Sequence, residues 1–544
     1  MTLLRTGSQT KVCATLLTAV NVFDPVFRAE RAARVAVLFE HREVTYEELR
    51  ALVIRTAEQF HALRITKGDR IGILLNDSPE FIASFVAIIS LGAIAVPINM
   101  ALRKEEQLFI LQDCGARAAI VEAQAAQILF GGAESTGGLT GLENLLLVSR
   151  NNELIPSQIM EVPGEDFERA ERRALNTGFP APVGDSADAF ILYTSGSTGE
   201  PKGAVHTQSD MLYTNETYCR EVLRLREGDR LFSSSRLPFA YGLGNGFTFP
   251  LLNGFTTILC REKPSAEVIA RIFEDYRPTI FFGVPVVYRM LLEHHRNVEA
   301  LDTSSLRLCV SAGEALPAQL GEDWQKTFGV EVLDGIGSTE MLHMFMSNHE
   351  RDVHYGSSGK LLSGYEARLI DHEGNPTPSH EIGNLWIRGN SAATRYWKRP
   401  DTTTDTFVDG WVRTGDLYRC DADRIWWHMG RSDDCFKPTG QWVSPVEVEG
   451  VLLRSENVRA AAVVEGFDKD GLSCVCAFVV RRDEQIKTDT VEQSLRALCE
   501  SALPRFKQPR RYIFVSELPY TATGKVQRFK LREKMRAQRV GSHC

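Results

Sequence analysis

The stretch YTSGSTGEPKGAVH, Tyr193 to His206, concentrates residue types suited to holding phosphate. Thr194, Ser195, Gly196, Ser197, Thr198 and Gly199 are small, so backbone N–H groups and hydroxyls can approach phosphate oxygens, and Lys202 adds a cation. The pattern is not a Walker loop, which needs a hydroxyl residue after its lysine to bind Mg²⁺, because Gly203 follows Lys202 here. A second group, DGIGSTEML (334–342), sets the Thr339 hydroxyl beside the Glu340 carboxylate, the pair needed to hold Mg²⁺ and a phosphate oxygen together. Alone, such a pair more often marks a helix N-terminus, and its register with the Gly-rich loop reverses that reading. WVRTGDLY (411–418) and HMGRSDD (428–434) add Asp416, a carboxylate that can accept hydrogen bonds, and Arg431, a guanidinium that can donate them. Near the carboxyl end, PYTATGKVQRFKLRE (519–533) places Lys525 in a Gly-containing loop.

Parallel α/β elements must position these groups. Thr45 and Glu48 form a capping-box pattern for a helix from Glu47 to Leu63, and the strand DRIGILLND follows. Ser78 and Pro79 suit the N-cap and first position of the next helix, Gly92 suits its end, and AIAVPIN resumes as a strand, completing a βαβ unit. Buried-strand runs recur at 187–193, 278–284, 306–311 and 330–335, most leading into Gly- or Ser-rich turns, where open α/β sheets place ligands. The Gly-, Ser- and Pro-rich stretch 130–185 reads as surface loop. After GRSDD (430–434) the pattern changes to a helix capped by Ser444 and Glu447, two strands, a helix near 491–502, another strand and a basic tail.

With 544 residues, 43% of them apolar, the chain exceeds what one hydrophobic core usually supports and should form at least two domains. From Asp433 onward 19 Lys and Arg face 15 Asp and Glu, a balance of +4 against −12 for the preceding part, which reads as a small cationic lid over an acidic body. The net charge of −8 argues against nucleic acid or an anionic membrane as a partner. Eleven cysteines are scattered without metal-ligand spacing, and Cys474 and Cys476 read as strand packing. Reduced thiols, an amino terminus unlike a secretory signal and no membrane-length apolar run point to a soluble cytoplasmic protein.

Taken in order from about residue 30 to 535, these motifs resemble the adenylate-forming enzymes, the family of acyl-CoA and aryl-CoA ligases, carrier-protein-loading adenylation domains and beetle luciferases. The resemblance implies an α/β fold in which a large N-terminal domain of α/β sheets with a β-barrel-like subdomain (1–432) carries a small mobile α+β lid (433–544). It implies Thr339 on the α-phosphate, Glu340 as metal ligand, Asp416 and Arg431 on the ribose, and Asp433 as hinge. The nucleotide would also meet Asp334, Gly335, Ile336 and SAGEALP (311–317), where Ala312, Gly313 and Glu314 line adenine and the acyl pocket. Lys525 would reach from the lid to the reacting carboxylate, as the main catalytic residue. ATP, Mg²⁺ and coenzyme A are the implied cofactor and co-substrates.

A carboxylate attacking phosphorus needs no protein nucleophile, so catalysis reduces to positioning and charge neutralisation. For the thiol step the resemblance implies that the lid turns about Asp433, withdraws Lys525 and brings in the segment around Lys437 and Gly440; Pro438 departs from the flexible sequence of relatives and stiffens it. GIGSTEMLHMFMSN (335–348), LPFAYGLGNG (237–246) and WVSPVEVE (442–449) look like benzoate-type aryl-CoA ligases. That likeness would seat a small aromatic acid, such as benzoate, anthranilate or a hydroxybenzoate, among Ala240, Tyr241, Ala312, Gly337, His343 and Met344. A carrier-protein phosphopantetheine as acceptor, a non-aromatic acid, and a homodimer all stay open at this point.

Overall fold

The computed structural model describes residues 22–130, 141–149, 158–159, 162–166, 187–195, 200–371, 373–378, 380–436, 438, 441, 443–468, 472–520 and 526–540. Among these the strands form two nine-stranded sheets, one of five strands and one of three. The expected βαβ unit is present: strand Arg70–Leu74, helix Pro79–Ser90 and strand Ile94–Pro97, the two strands paired in parallel. Ser78 caps that helix by accepting from Phe81 N, Pro79 opens it, and Gly92 follows it at φ +73°, a conformation an L side chain resists. Thr45 and Glu48 form the capping box that starts the helix Tyr46–Ala62.

One large sheet runs parallel through Thr256–Ile258, Arg230–Ser233, Ile280–Gly283, Leu308–Ser311 and Val332–Gly337. The other runs parallel through Asp188–Ser195, Ile94–Pro97, Arg70–Leu74, Ala118–Glu122, Asn144–Val148 and Val162–Asp166. The stretch 130–185 is therefore not simply surface loop. Leu145, Leu146, Leu147 and Val148 are buried in its strand Asn144–Val148, an apolar run outweighed in the sequence by its Gly- and Ser-rich flanks. The antiparallel sheet of Glu366–Ile370, Gly383–Arg388, Phe407–Val408, Trp411–Cys420 and Trp426–Arg431 stands where a barrel-like subdomain was expected.

Beyond residue 435 the chain builds its own cores around a three-stranded sheet, Val458–Phe467, Ser473–Arg481 and Arg511–Val515. Helices Pro445–Leu452, Thr488–Ala502 and Arg528–Val540 accompany it, the first capped by Ser444. Cys474 and Cys476 are buried with sulfurs 3.8 Å apart on one face of the middle strand. No helix among the described residues is long and apolar enough to cross a membrane.

Asp77 ties the two large sheets together just ahead of the LPFAYGLGNG segment. It lies 3.6 Å from Arg236 and accepts from Leu237 N at 3.1 Å. Burial outweighs those partners and pushes its carboxyl up to about 6. Between about pH 4 and pH 6 the folded protein then keeps a proton that the unfolded chain has released, so the stability from neutral Asp77 is present at the lower pH and lost as pH rises through 6. Asp77→Asn, which keeps the shape and the acceptor, should match the parent near pH 4 and exceed it at pH 7 by on the order of 2 kcal/mol in urea unfolding. An offset that does not change with pH would refute titration at this site.

Candidate active site

The strand Asp188–Ser195 pairs antiparallel with Pro201–Thr207, setting Thr194 opposite Lys202 and Ser195 opposite Pro201. The element that begins at Pro201 is therefore a strand and not a helix, so no helix dipole starts there. Gly196, Ser197, Thr198 and Gly199 lie outside the described residues.

Thr339 and Glu340 occupy the turn between Val332–Gly337 and its antiparallel partner Met344–Ser347. The hairpin is tight: a Cβ on Gly337 would stand 2.5 Å from His343 O, and one on Gly335 2.5 Å from Met346 O. Three contacts from the other large sheet and its flank hold the turn. His206 Nε2 meets the Thr339 carbonyl at 2.8 Å while its Nδ1 faces Asp210 at 2.8 Å, Ala393 N donates to Glu340 O at 2.7 Å, and Tyr396 Oη donates to Glu340 Oε1 at 2.5 Å. Tyr396 also lies under Lys202, whose Nζ is 5.8 Å from the ring centroid. Burial and the neighbouring Glu340 charge push the Tyr396 hydroxyl well up, so it stays a donor. Tyr396 and His206 carried no role in the sequence reading; TRYWKRPD has no local signature, and only strand pairing of Tyr396 with Ala204 brings it to the site.

A half-buried carboxylate anchored through one oxygen suits Mg²⁺, a hard cation that takes one or two protein carboxylates and completes its shell with phosphate and water oxygens. Asp334, five residues before Thr339, is buried with Oδ2 accepting from Leu316 N at 3.1 Å, and burial pushes its carboxyl well up. It braces the SAGEALP segment through Leu316.

Asp416 and Arg431 are direct partners across adjacent strands, with Arg431 Nη1 3.4 Å from Asp416 Oδ1 and 3.2 Å from Thr414 O. The Asp416 charge is the main reason the Arg431 guanidinium is held above its ordinary value. His428 Nε2 stands 3.5 Å from the same carboxylate oxygen. Asp416 is buried.

Tyr241, Ala312, His343 and Met344 come together. The Tyr241 ring stacks on His343 with centroids 5.8 Å apart, and its hydroxyl donates to Val310 O at 3.2 Å. Ala312 and Met344 belong to the buried cluster against which Tyr241 packs, while Ala240 packs against the neighbouring cluster. Burial holds His343 down to about 3, so its ring is neutral.

The lid meets this body at Glu314, whose Oε1 accepts from Val526 N at 3.2 Å, and at Arg289, which donates to Arg459 O at 2.9 Å. Lys525, Lys437 and Gly440 lie outside the described residues, although the residue after Lys525 is the one bonded to Glu314. Asp433 lies in the turn that follows strand Trp426–Arg431.

Residues 26–397 match the model of the AMP-binding enzyme family, and 447–525 match that of the AMP-binding enzyme C-terminal domain. The chain belongs to the AMP-binding enzyme family. Relatives include a benzoate–CoA ligase of Thauera aromatica, 40% identical with 93% of each chain covered, and an anthranilate–CoA ligase of Pseudomonas aeruginosa, 32% identical over 95% of this chain and 96% of its own. Among solved structures, an anthranilate CoA ligase in complex with anthranoyl-AMP superposes with a TM-score of 0.87 at 37% identity, covering 95% of this chain and 97% of that one. A benzoate CoA ligase from Burkholderia xenovorans superposes at 0.84 and 37%, covering 94% and 99%. Within this family match, the first segment contains both the Glu340 turn and Tyr396, and the second ends on Lys525.

Tyr396→Phe removes one hydrogen bond to a charged acceptor and leaves Glu340 less firmly aimed. The Mg²⁺ concentration giving half-maximal ATP–pyrophosphate exchange should rise roughly 10-fold. An unchanged Mg²⁺ dependence would remove Tyr396 from the site.

Proposed function

We propose a division of labour between body (1–432) and lid (433–544) for the reaction of an ATP-dependent aryl-CoA ligase. The chain is such a ligase: an acid–thiol ligase that uses ATP, Mg²⁺ and coenzyme A, as its benzoate– and anthranilate–CoA ligase relatives are named. The observation that carries the division is the convergence of Lys202, Thr339, Glu340 and Tyr396 between the two large sheets, together with the bond from Val526, the residue after Lys525, to Glu314 of the body.

In the first step the aromatic carboxylate attacks the α-phosphorus of ATP, forming acyl-AMP and releasing pyrophosphate. The substrate brings its own negative charge, so no protein base is required. The Gly-rich hairpin and Lys202 hold phosphate oxygens, Thr339 positions the α-phosphate, and Asp416 with Arg431 fixes the ribose. Lys525 neutralises charge between the carboxylate and the α-phosphate, where charge shifts most in the transition state. Bound at Glu340, Mg²⁺ would supply further neutralisation of the phosphate oxygens.

In the second step the thiol attacks the acyl carbonyl and AMP leaves. Rotation of the lid about Asp433 withdraws Lys525 and presents the segment around Lys437 and Gly440 to the thiol. Free coenzyme A is the acceptor in this reading, and comparing it with carrier proteins as acceptors tests that choice. A cytoplasmic setting suits the described cysteines, all of them free thiols.

Lys525→Ala should lower acyl-AMP formation roughly 100-fold or more while sparing thioester formation from supplied acyl-AMP. Equal loss in both half-reactions would refute a role confined to the adenylating arrangement.

A further inference from the structure

We infer that Tyr218, Asn245 and His343 form a niche for a neutral hydrogen-bonding substituent, a hydroxyl or an amino group, on the ring of the acid; the inference rests on the aryl-CoA ligase reading above. Tyr218 and Asn245 are 0% exposed and His343 3%. Among the described residues, the Tyr218 hydroxyl and both amide atoms of Asn245 have no hydrogen-bond partner, and the His343 ring has at most the Tyr241 backbone for one of its two nitrogens. Buried polar atoms are paired in the great majority of cases, so the unpaired atoms of these three side chains mark a place where something else completes the bonding. Tyr241, by contrast, spends its hydroxyl on Val310 O.

The three residues belong to one locality. The Tyr218 ring lies 4.8 Å from His343 between centroids. Asn245 is bracketed by residues that touch the same imidazole: Tyr241 stacks on it at 5.8 Å, Phe249 meets it edge-on at 4.7 Å, and a Cβ on Gly244 would stand 2.5 Å from its Cδ2. Tyr218 and Asn245 both sit on π-helical turns, Asn215–Leu223 and Gly244–Thr248, a backbone form concentrated at functional sites. Met341, Met344 and Ala312 of the surrounding cluster give the apolar walls a ring requires.

The chemistry of the niche selects the substituent. Tyr218 can donate and accept, Asn245 brings two donors and an acceptor, and a neutral imidazole brings one of each. None is charged, and none could compensate the desolvation of a second carboxylate or an ammonium group. A phenolic hydroxyl or an aromatic amine, neutral and able to donate and accept, satisfies these atoms. Unsubstituted benzoate would leave them unpaired or dependent on trapped water.

The test is ATP–pyrophosphate exchange by the full chain with benzoate and with the 2-, 3- and 4-isomers of hydroxybenzoate and aminobenzoate. At least one substituted acid should exceed benzoate about 10-fold or more in kcat/KM, and Tyr218→Phe or Asn245→Leu should reduce that ratio about 10-fold. The ratio is internal to each variant, so a loss of folded enzyme cancels. Benzoate preferred by the parent, with a ratio unmoved in both variants, would overturn the niche and leave it a site for ordered water only. Exchange with alkyl acids and none with any aromatic acid would instead overturn the aryl-CoA ligase reading, and the niche with it.

Discussion

The hydrogen bond from Tyr396 to Glu340 joins the two large sheets, and the nucleotide site depends on their being joined there. Glu340 stands on a turn of one sheet, while Tyr396 and Lys202 belong to paired strands of the other. His206 makes the same crossing to the Thr339 carbonyl, and Ala393 N, beside the Tyr396 strand, reaches the Glu340 carbonyl. In the proposed mechanism a phosphate between these elements would meet the Lys202 cation from one side and the Glu340 carboxylate from the other. Because charge neutralisation falls steeply with misplacement, the contacts that fix the sheets against each other also set the catalytic geometry.

The lid is organised around a comparable constraint. Arg528, three residues beyond Lys525, is paired with both oxygens of Glu449 at 2.7 and 3.0 Å and lies 3.6 Å from Asp434. Arg532 donates to Asp434 at 2.6 Å. The helix Arg528–Val540 is thus bound to the helix Pro445–Leu452 and to the residue following Asp433. In the proposed mechanism, a rotation at Asp433 would carry Arg528, three residues beyond Lys525, with it. Carriage as a unit suits a lysine needed in one half-reaction and out of place in the other.

Local rules made much of this fold legible. The caps at Thr45, Ser78 and Ser444 and the parallel strands ending at Ser195, Ser311 and Gly337 follow from side-chain type and short-range pattern alone. The strand Asn144–Val148 did not stand out, because four apolar residues between Gly- and Ser-rich flanks carry little local signal. Tyr396 was hidden for a different reason: its role comes from pairing with a strand almost two hundred residues away. The unpaired atoms of Tyr218 and Asn245 were equally invisible, since a tyrosine or an asparagine in sequence gives no sign of whether tertiary structure will satisfy it.

The hairpin that carries Glu340 also limits what the protein can activate. Glu340 and His343 are three residues apart, a separation of at most about 11 Å along the backbone. Gly337 and Leu342, the latter at φ +63°, fold the turn back on itself and shorten that distance further. In the proposed mechanism the carboxylate of the acid lies near the groups that neutralise the α-phosphate, and His343, buried between Tyr218 and Phe249, would close the acyl side. A flat ring bearing its carboxylate directly fits between these fixed ends. A longer chain would have to displace His343, and the glycine contacts at positions 244 and 337 leave it little room to move.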